Sequence, residues 1–207
     1  MVTDYSLCLV ADAEYAPGRD LLGLIEEAVR GGASIVQLRA KNLTSRDLLD
    51  LGRRAADLLA RLSVPLLVND RVDVALACGA AGVHLGQEDM PVDQARRLLG
   101  PDRIIGVSVN TPEEALRAER EGADYVGANP AYVTATKEIA LPVLGPEGIG
   151  RIKRAVRIPV VAIGGIGTAN AAALAAAGAD GIAVISAILG APDARRAAEE
   201  LKKVFKR

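Results

Sequence analysis

The sequence predicts an α/β protein built as a single (β/α)8 TIM barrel, and three observations carry that expectation. Short β-branched runs alternate with longer amphipathic stretches, and the apolar period switches each time from two to about 3.6. The alternation repeats through eight units. The apolar runs are almost free of charge, as expected of a parallel sheet covered on both faces. A chain of 207 residues lies at the compact end of the range for such a barrel. An open doubly wound sheet would show a similar alternation, but eight units at this spacing favour closure.

Taken in order, the strands are expected at Leu7 to Val10, Ser34 to Leu38, Pro65 to Val68, Gly82 to Leu85, Ile104 to Val107, Tyr125 to Ala128, Pro159 to Ile163 and Gly181 to Ile185. Helical stretches separate them, with one more at the C-terminus. Four helices end alike, in Gly31-Gly32-Ala33, Gly79-Ala80-Ala81, Gly122-Ala123-Asp124 and Gly178-Ala179-Asp180, because glycine accepts the left-handed conformation that closes a helix. No Ser-rich or Pro-rich linker interrupts the pattern, so residues 1–207 are expected to form one catalytic domain. From Asn129 to Pro146 the sequence has no helical period. A loop of that length in a compact domain is usually a functional lid, the alternative being an unusually long structural connection.

Composition excludes several function classes. The 25 basic and 26 acidic residues leave a net charge of −1, so there is no broad positive field for nucleic acid or an anionic membrane. One Phe, four Tyr and no Trp make a poor base-stacking surface. The first apolar run, Tyr5 to Val10, is broken at once by Asp12 and Glu14. It suits neither a signal peptide nor a membrane span, and a cytoplasmic protein is expected. Cys8 lies in that run and Cys78 in a predicted helix; two unclustered cysteines read as packing residues.

In a parallel barrel the reactive groups stand just past the C-terminal ends of the strands. Polar residues collect there: Gln37 to Lys41, Asn69-Asp70-Arg71, Gln87-Glu88-Asp89, Ser108, Thr134 to Lys137, Gly164-Gly165 and Ser186. Asp70 and Asp89 end neighbouring strands, about 4.8 Å apart, and could share one cation. Oxygen ligands without a His or Cys cluster point to Mg2+ and a pyrophosphate ligand. Asp70 as the N-cap of the third helix, with Asp89 a loop acid, is an equal alternative on spacing alone. Gly164 to Gly167, followed by a helix, and the Ile185-Ser186 turn occupy the usual phosphate position of the barrel, unless the glycines serve only a tight turn. Lys41 and Lys137 could neutralise a leaving pyrophosphate across the mouth, or be solvated surface lysines. His84, inside the fourth strand, reads as a satisfied core residue, and without it no Ser-His-Asp triad can be assembled.

With these segments in hand, the sequence resembles the thiamine-phosphate synthase family over nearly its whole length. The resemblance rests on VQLRAK, NDRVDVALACGAAGVHLGQEDMP, IGVSV, TATK, VVAIGGI and GADGIAVISAI, in that order and spacing. It implies a Mg2+-dependent transferase of thiamine biosynthesis acting on a pyrimidinylmethyl diphosphate and a thiazole phosphate. Gln37, Leu38, Arg39, Ala40, Lys41 and Asn69 would bind the diphosphate substrate, Asp70 and Asp89 the metal, and Ser108 and Lys137 would complete that pocket. Thr134, Ala135, Thr136, Gly165, Ile185 and Ser186 would bind the thiazole phosphate. Lys41, Ser108 and Lys137 are the catalytic candidates.

The chain departs from the family pattern in one region. Asn129 stands where Gly is usual, Tyr132 where Phe is usual, Val133 in place of Pro and Ile139 in place of an acid, while Asn110 replaces a His after the Ser-Val pair. These changes touch the acceptor half and lid closure. The competing readings are a thiazole tautomerase-like barrel, a non-catalytic thiazole phosphate-binding protein and a sugar-phosphate isomerase. The first uses a His at Asn110 and lacks the paired acids. The second would not need Asp70, Asp89, Lys41 and Lys137, and the third would need neither the NDR nor the GQED segment.

Overall fold

The computed structural model describes residues 3–15, 18–134 and 141–205. Eight parallel strands close on themselves in sequence order. They are β1 (Leu7–Asp12), β2 (Ile35–Arg39), β3 (Leu66–Asn69), β4 (Gly82–Leu85), β5 (Ile104–Val109), β6 (Tyr125–Ala128), β7 (Val160–Ile163) and β8 (Gly181–Val184). The helices are α1 (Leu21–Arg30), α2 (Ser45–Leu62), α3 (Val72–Ala77), α4 (Val92–Leu99), α5 (Pro112–Arg120), α6 (Gly145–Ala155), α7 (Ala171–Ala176), α8 (Ser186–Leu189) and α9 (Ala194–Val204). All eight predicted strands are present. Among the described residues, no helix is long and apolar enough to cross a membrane.

Local chemistry explains the boundaries. Thr44 accepts the Asp47 amide at 3.2 Å and Thr111 accepts the Glu114 amide at 3.2 Å, so α2 and α5 start where a hydroxyl satisfies a free donor, a bond worth about 1 kcal/mol. The predicted terminators Gly32, Gly79, Gly122 and Gly178 have φ of 104°, 70°, 96° and 96°. Two of them are followed by an acid that ties the coming strand to the one before it: Asp124, ahead of β6, accepts the Ile105 amide of β5 at 2.7 Å, and Asp180, ahead of β8, the Val160 amide of β7 at 2.8 Å. Three boundaries depart from expectation. Cys78 caps α3 instead of lying within it, α6 begins at Gly145, inside the predicted loop, and the short α8 follows β8 directly.

Strand parity divides the core in two. Leu9, Leu38, Val68, Leu85, Val107 and Val184 belong to the large cluster between sheet and helices. Cys8, Val10, Ile35, Leu67, Tyr125, Val161 and Ala183 form a smaller cluster inside the barrel. The inward parity, carried two residues further up each strand, is what positions the polar groups of the upper end.

Candidate active site

Gln37 and Arg39 continue the inward row of Ile35 along β2, Asn69 continues that of Leu67 along β3, and His84 pairs in register with Asn69. Ser108 pairs with Gly127, and Asn129 follows two residues beyond that glycine. Polar side chains therefore replace the apolar lining where the strands end. Leu38 and Ala40 have the opposite parity and pack with the outer core. Only their backbone can face a ligand.

The two predicted metal acids come together. Asp70 has a left-handed φ of 62°, and its amide donates to the His84 carbonyl at 2.9 Å. That geometry turns it away from capping: Arg71 occupies the N-cap of α3, with no side-chain bond to the helix's free amides among the described residues. The capping alternative is thereby removed. Asp89 accepts the Gly86 amide at 2.6 Å, which folds the turn after β4 back on itself. Burial, then a hydrogen bond with Asp89 and the charge of Asp89, hold the Asp70 carboxyl above its usual range, and Lys41 opposes them. Lys41 Nζ lies 3.3 Å from Asp70 Oδ2. Asn69, Asp70, His84, Asp89, Lys41 and Ser108 help line a cavity of about 440 Å³.

A wider cavity of about 1470 Å³ occupies the opposite side of the mouth, bordered by Arg39, Lys41, Thr134, Gly165 and Ser186. Here the structure corrects one expectation. Gly164 to Gly167 do not open a helix, because α7 begins only at Ala171. The Gly167 amide donates to Asn170 Oδ1 at 2.9 Å, and Asn170 Nδ2 donates to the Gly165 carbonyl at 2.9 Å. Asn170 thus braces the glycine turn, while the helix that starts at this face is α8, at Ser186. Asp12 was read only as the end of an apolar run. It is buried at 2% exposure and forms an ion pair with Arg39, itself 9% exposed. The Arg39 Nε is buried without a hydrogen-bond partner among the described residues.

Between the two cavities lies an enclosed pocket of about 50 Å³ lined by Gln37, His84, Ser108, Asn129, Gly165 and Ile185, among others. His84 is buried, as expected, but it is not inert. Its Nδ1 lies 2.8 Å from the Tyr125 hydroxyl and its Nε2 3.0 Å from Ser108 Oγ. Asn110 Nδ2 donates to the carbonyls of Asn129 at 2.8 Å and Pro142 at 3.1 Å, joining the two described ends of the loop after β6. Ala135, Thr136, Lys137 and Ile139 lie outside the described residues.

The sequence matches the family described as thiamine monophosphate synthase over residues 7–188. The chain belongs to the thiamine-phosphate synthase family. A thiamine-phosphate synthase of Syntrophomonas wolfei is 47% identical over 205 residues, 99% of this chain and 98% of the relative. One of Chloroflexus aurantiacus is 49% identical over 201 residues, 97% and 93% of the two chains. The solved thiamine phosphate pyrophosphorylase of Pyrococcus furiosus superposes with a TM-score of 0.89 at 43% identity, covering 98% of this chain and 96% of its own. The function is that of a thiamine-phosphate synthase, a transferase of thiamine biosynthesis. The tautomerase and non-catalytic alternatives find no support in these relatives.

Proposed function

We propose that the upper face of the barrel condenses 4-amino-2-methyl-5-pyrimidinylmethyl diphosphate with hydroxyethylthiazole phosphate, or its carboxylated tautomer, releasing pyrophosphate. The observation that carries this reading is the overlap of the cavities. The acid-lined cavity shares His84, Ser108 and Asn129 with the enclosed pocket, and the wider cavity shares Thr134, Gly165 and Ser186 with it. Two anionic substrates, one on each side, would bring their rings to a common buried point.

In this reading Gln37, Asn69 and Ser108 hold the pyrimidine diphosphate, and Thr134 to Thr136, Gly165, Ile185 and Ser186 hold the thiazole phosphate. Leu38 and Ala40 contribute through their backbone. Arg39 and Lys41 both border the wider cavity, and Lys41 borders the acid-lined one as well. The methylene C–O bond breaks, the pyrimidine amino group stabilises the resulting cation, and the thiazole nitrogen lone pair forms the C–N bond. Lys41 and Lys137 stabilise the charge that collects on the departing diphosphate. No protein nucleophile is required.

Asp70 and Asp89 fit Mg2+. They are two neighbouring carboxylates that line one cavity, and among the described residues no cluster of three His, Cys, Asp or Glu forms a closed metal cage. That donor set suits an ion whose remaining ligands are water and substrate oxygens; when bound, it would neutralise charge on the diphosphate. The near-balanced charge fits small-molecule partners and not nucleic acid, and the free buried cysteines suit a reducing cytoplasm.

The variant Asp89→Ala tests the division of the face. Turnover should fall by about a hundredfold or more while thiazole phosphate affinity, measured by calorimetry, stays within about twofold. Equal loss of both would remove the assignment of the acids to the diphosphate half.

A further inference from the structure

The interior of the barrel holds two polar rings, Tyr125 and His84, that the reaction scheme does not use. Tyr125 and His84 are buried at 3% and 4% exposure, and Gln37 at 4%. Their rings occupy space that two neighbouring strands leave free. A Cβ at Gly106 would stand 2.1 Å from Tyr125 Cζ, and one at Gly127 would stand 2.8 Å from His84 Cε1. Both contacts are far too close for a side chain, so β5 and β6 need glycine at these inward positions to admit the two rings.

The polarity of the hydrogen bonds follows from the groups that make them. Of the two hydroxyls that flank the His84 ring, the Tyr125 phenol is the stronger acid and so the stronger donor, and the Ser108 hydroxyl the better acceptor. Tyr125 therefore donates to His84 Nδ1, 2.8 Å away, which leaves the tyrosine oxygen to accept from the neighbouring Gln37 amide N–H. With Nδ1 accepting, the imidazole carries its hydrogen on Nε2, which donates to Ser108 Oγ at 3.0 Å. The Ser108 hydroxyl, its oxygen already accepting, is left to donate into the enclosed pocket. The Gln37 amide oxygen remains as an acceptor in the same pocket.

We infer that Tyr125 is a positioning residue for the pyrimidine: it fixes His84 as the Nε2–H tautomer, and that tautomer turns the Ser108 hydroxyl hydrogen towards the substrate. The resulting surface, a serine donor and a glutamine acceptor, complements an aminopyrimidine, whose ring nitrogen accepts and whose amino group donates. The part concerning the substrate rests on the reaction proposed above; the part concerning the tautomer does not.

His84 is the single histidine of the chain, so its ring signals need no assignment in an untagged sample. A two-bond proton–nitrogen correlation spectrum at about pH 8, above the ordinary imidazole range, should show Nε2 protonated and Nδ1 bare. The opposite tautomer in the wild type would overturn the inference, whatever any variant does. The variant Tyr125→Phe keeps the ring and removes the hydroxyl. It should shift the His84 signals towards a tautomer mixture and raise the KM for the pyrimidine diphosphate about tenfold. The KM for thiazole phosphate should stay within about twofold. An unchanged His84 spectrum, or equal rises in both KM values, would overturn the positioning role. The spectrum needs no substrate: an Nε2–H signal in a protein without turnover would sink the reaction scheme and sustain the tautomer assignment.

Discussion

Gly165 shows how much of a residue's part can be hidden from sequence. Its position after the seventh strand suggests a phosphate-loop glycine, and the structure shows a contact there that the sequence does not reveal. A Cβ there would lie 2.4 Å from the Val133 carbonyl oxygen and 2.9 Å from Tyr132 Cβ, and its φ is +65°. The loop after β6 therefore lies directly on this residue, and Thr134 lines the same two cavities as Gly165. Gly165→Ala should weaken thiazole phosphate binding at least tenfold, from a left-handed alanine costing about 1–2 kcal/mol plus displacement of the loop. Calorimetric titration checks it; unaltered affinity would show that the loop does not depend on this contact. His84 and Asp12 were less legible. Each sits in an apolar run that reads as core, and burial is indeed what the structure shows. Their partners, Tyr125, Ser108 and Arg39, are 24 to 41 residues away in sequence, a separation no local pattern carries. Asp70 and Asp89 were legible in part: both follow apolar strands on adjacent units, but spacing alone left Asp70 equally able to cap α3, and only its left-handed backbone decides against that.

At the scale of elements, the strands were the easiest to read. A parallel strand covered on both faces is an uninterrupted apolar run with punctuation at each end, and β4 and β6 match their predicted spans residue for residue. Others extend further: β5 continues to Val109 because Ser108, although polar, occupies an inward position and does not break the ladder. Helix starts were harder. The stretch from Gly164 into the Ala-rich segment looked like a helix opening at the glycines, but Asn170 hydrogen-bonds back across them and delays α7 to Ala171. A side-chain bond to the backbone three and five residues earlier competes with helix formation, and only coordinates reveal which wins. The loop after β6 was visible as a stretch without period. Its anchorage was not: Asn110 reaches from the end of β5 to the carbonyls of Asn129 and Pro142. Asn110, where the resemblance leads one to expect His, therefore ties the described ends of that loop together in this chain.

The whole molecule couples stability to the same barrel interior that supports the site. Burial pushes the Cys8 thiol up to about 12 from 9.0 and the Tyr5 hydroxyl up to about 12 from 10.0, and it raises Tyr125 well above 10.0. Each group is held neutral in the folded state and ionises more readily in the unfolded one. Their contribution is complete below about pH 9 and is lost as pH rises through the folded values. Between those limits each fully buried group costs about 1.4 kcal/mol per pH unit. Denaturant titrations from pH 8 to 11 should show the midpoint falling only above about pH 9; a midpoint independent of pH there would contradict the burial of these hydroxyl and thiol groups. The same closed barrel brings the acid-lined and wider cavities to a shared pocket, and the proposed condensation depends on that arrangement. Its most direct test mixes the protein with Mg2+, the pyrimidinylmethyl diphosphate and thiazole phosphate, and reads thiamine phosphate and pyrophosphate by chromatography. Both products are expected in equal amounts, abolished by omitting either substrate or adding a chelator. Bound thiazole phosphate with no product formed, or product formed undiminished in the chelator, would contradict it.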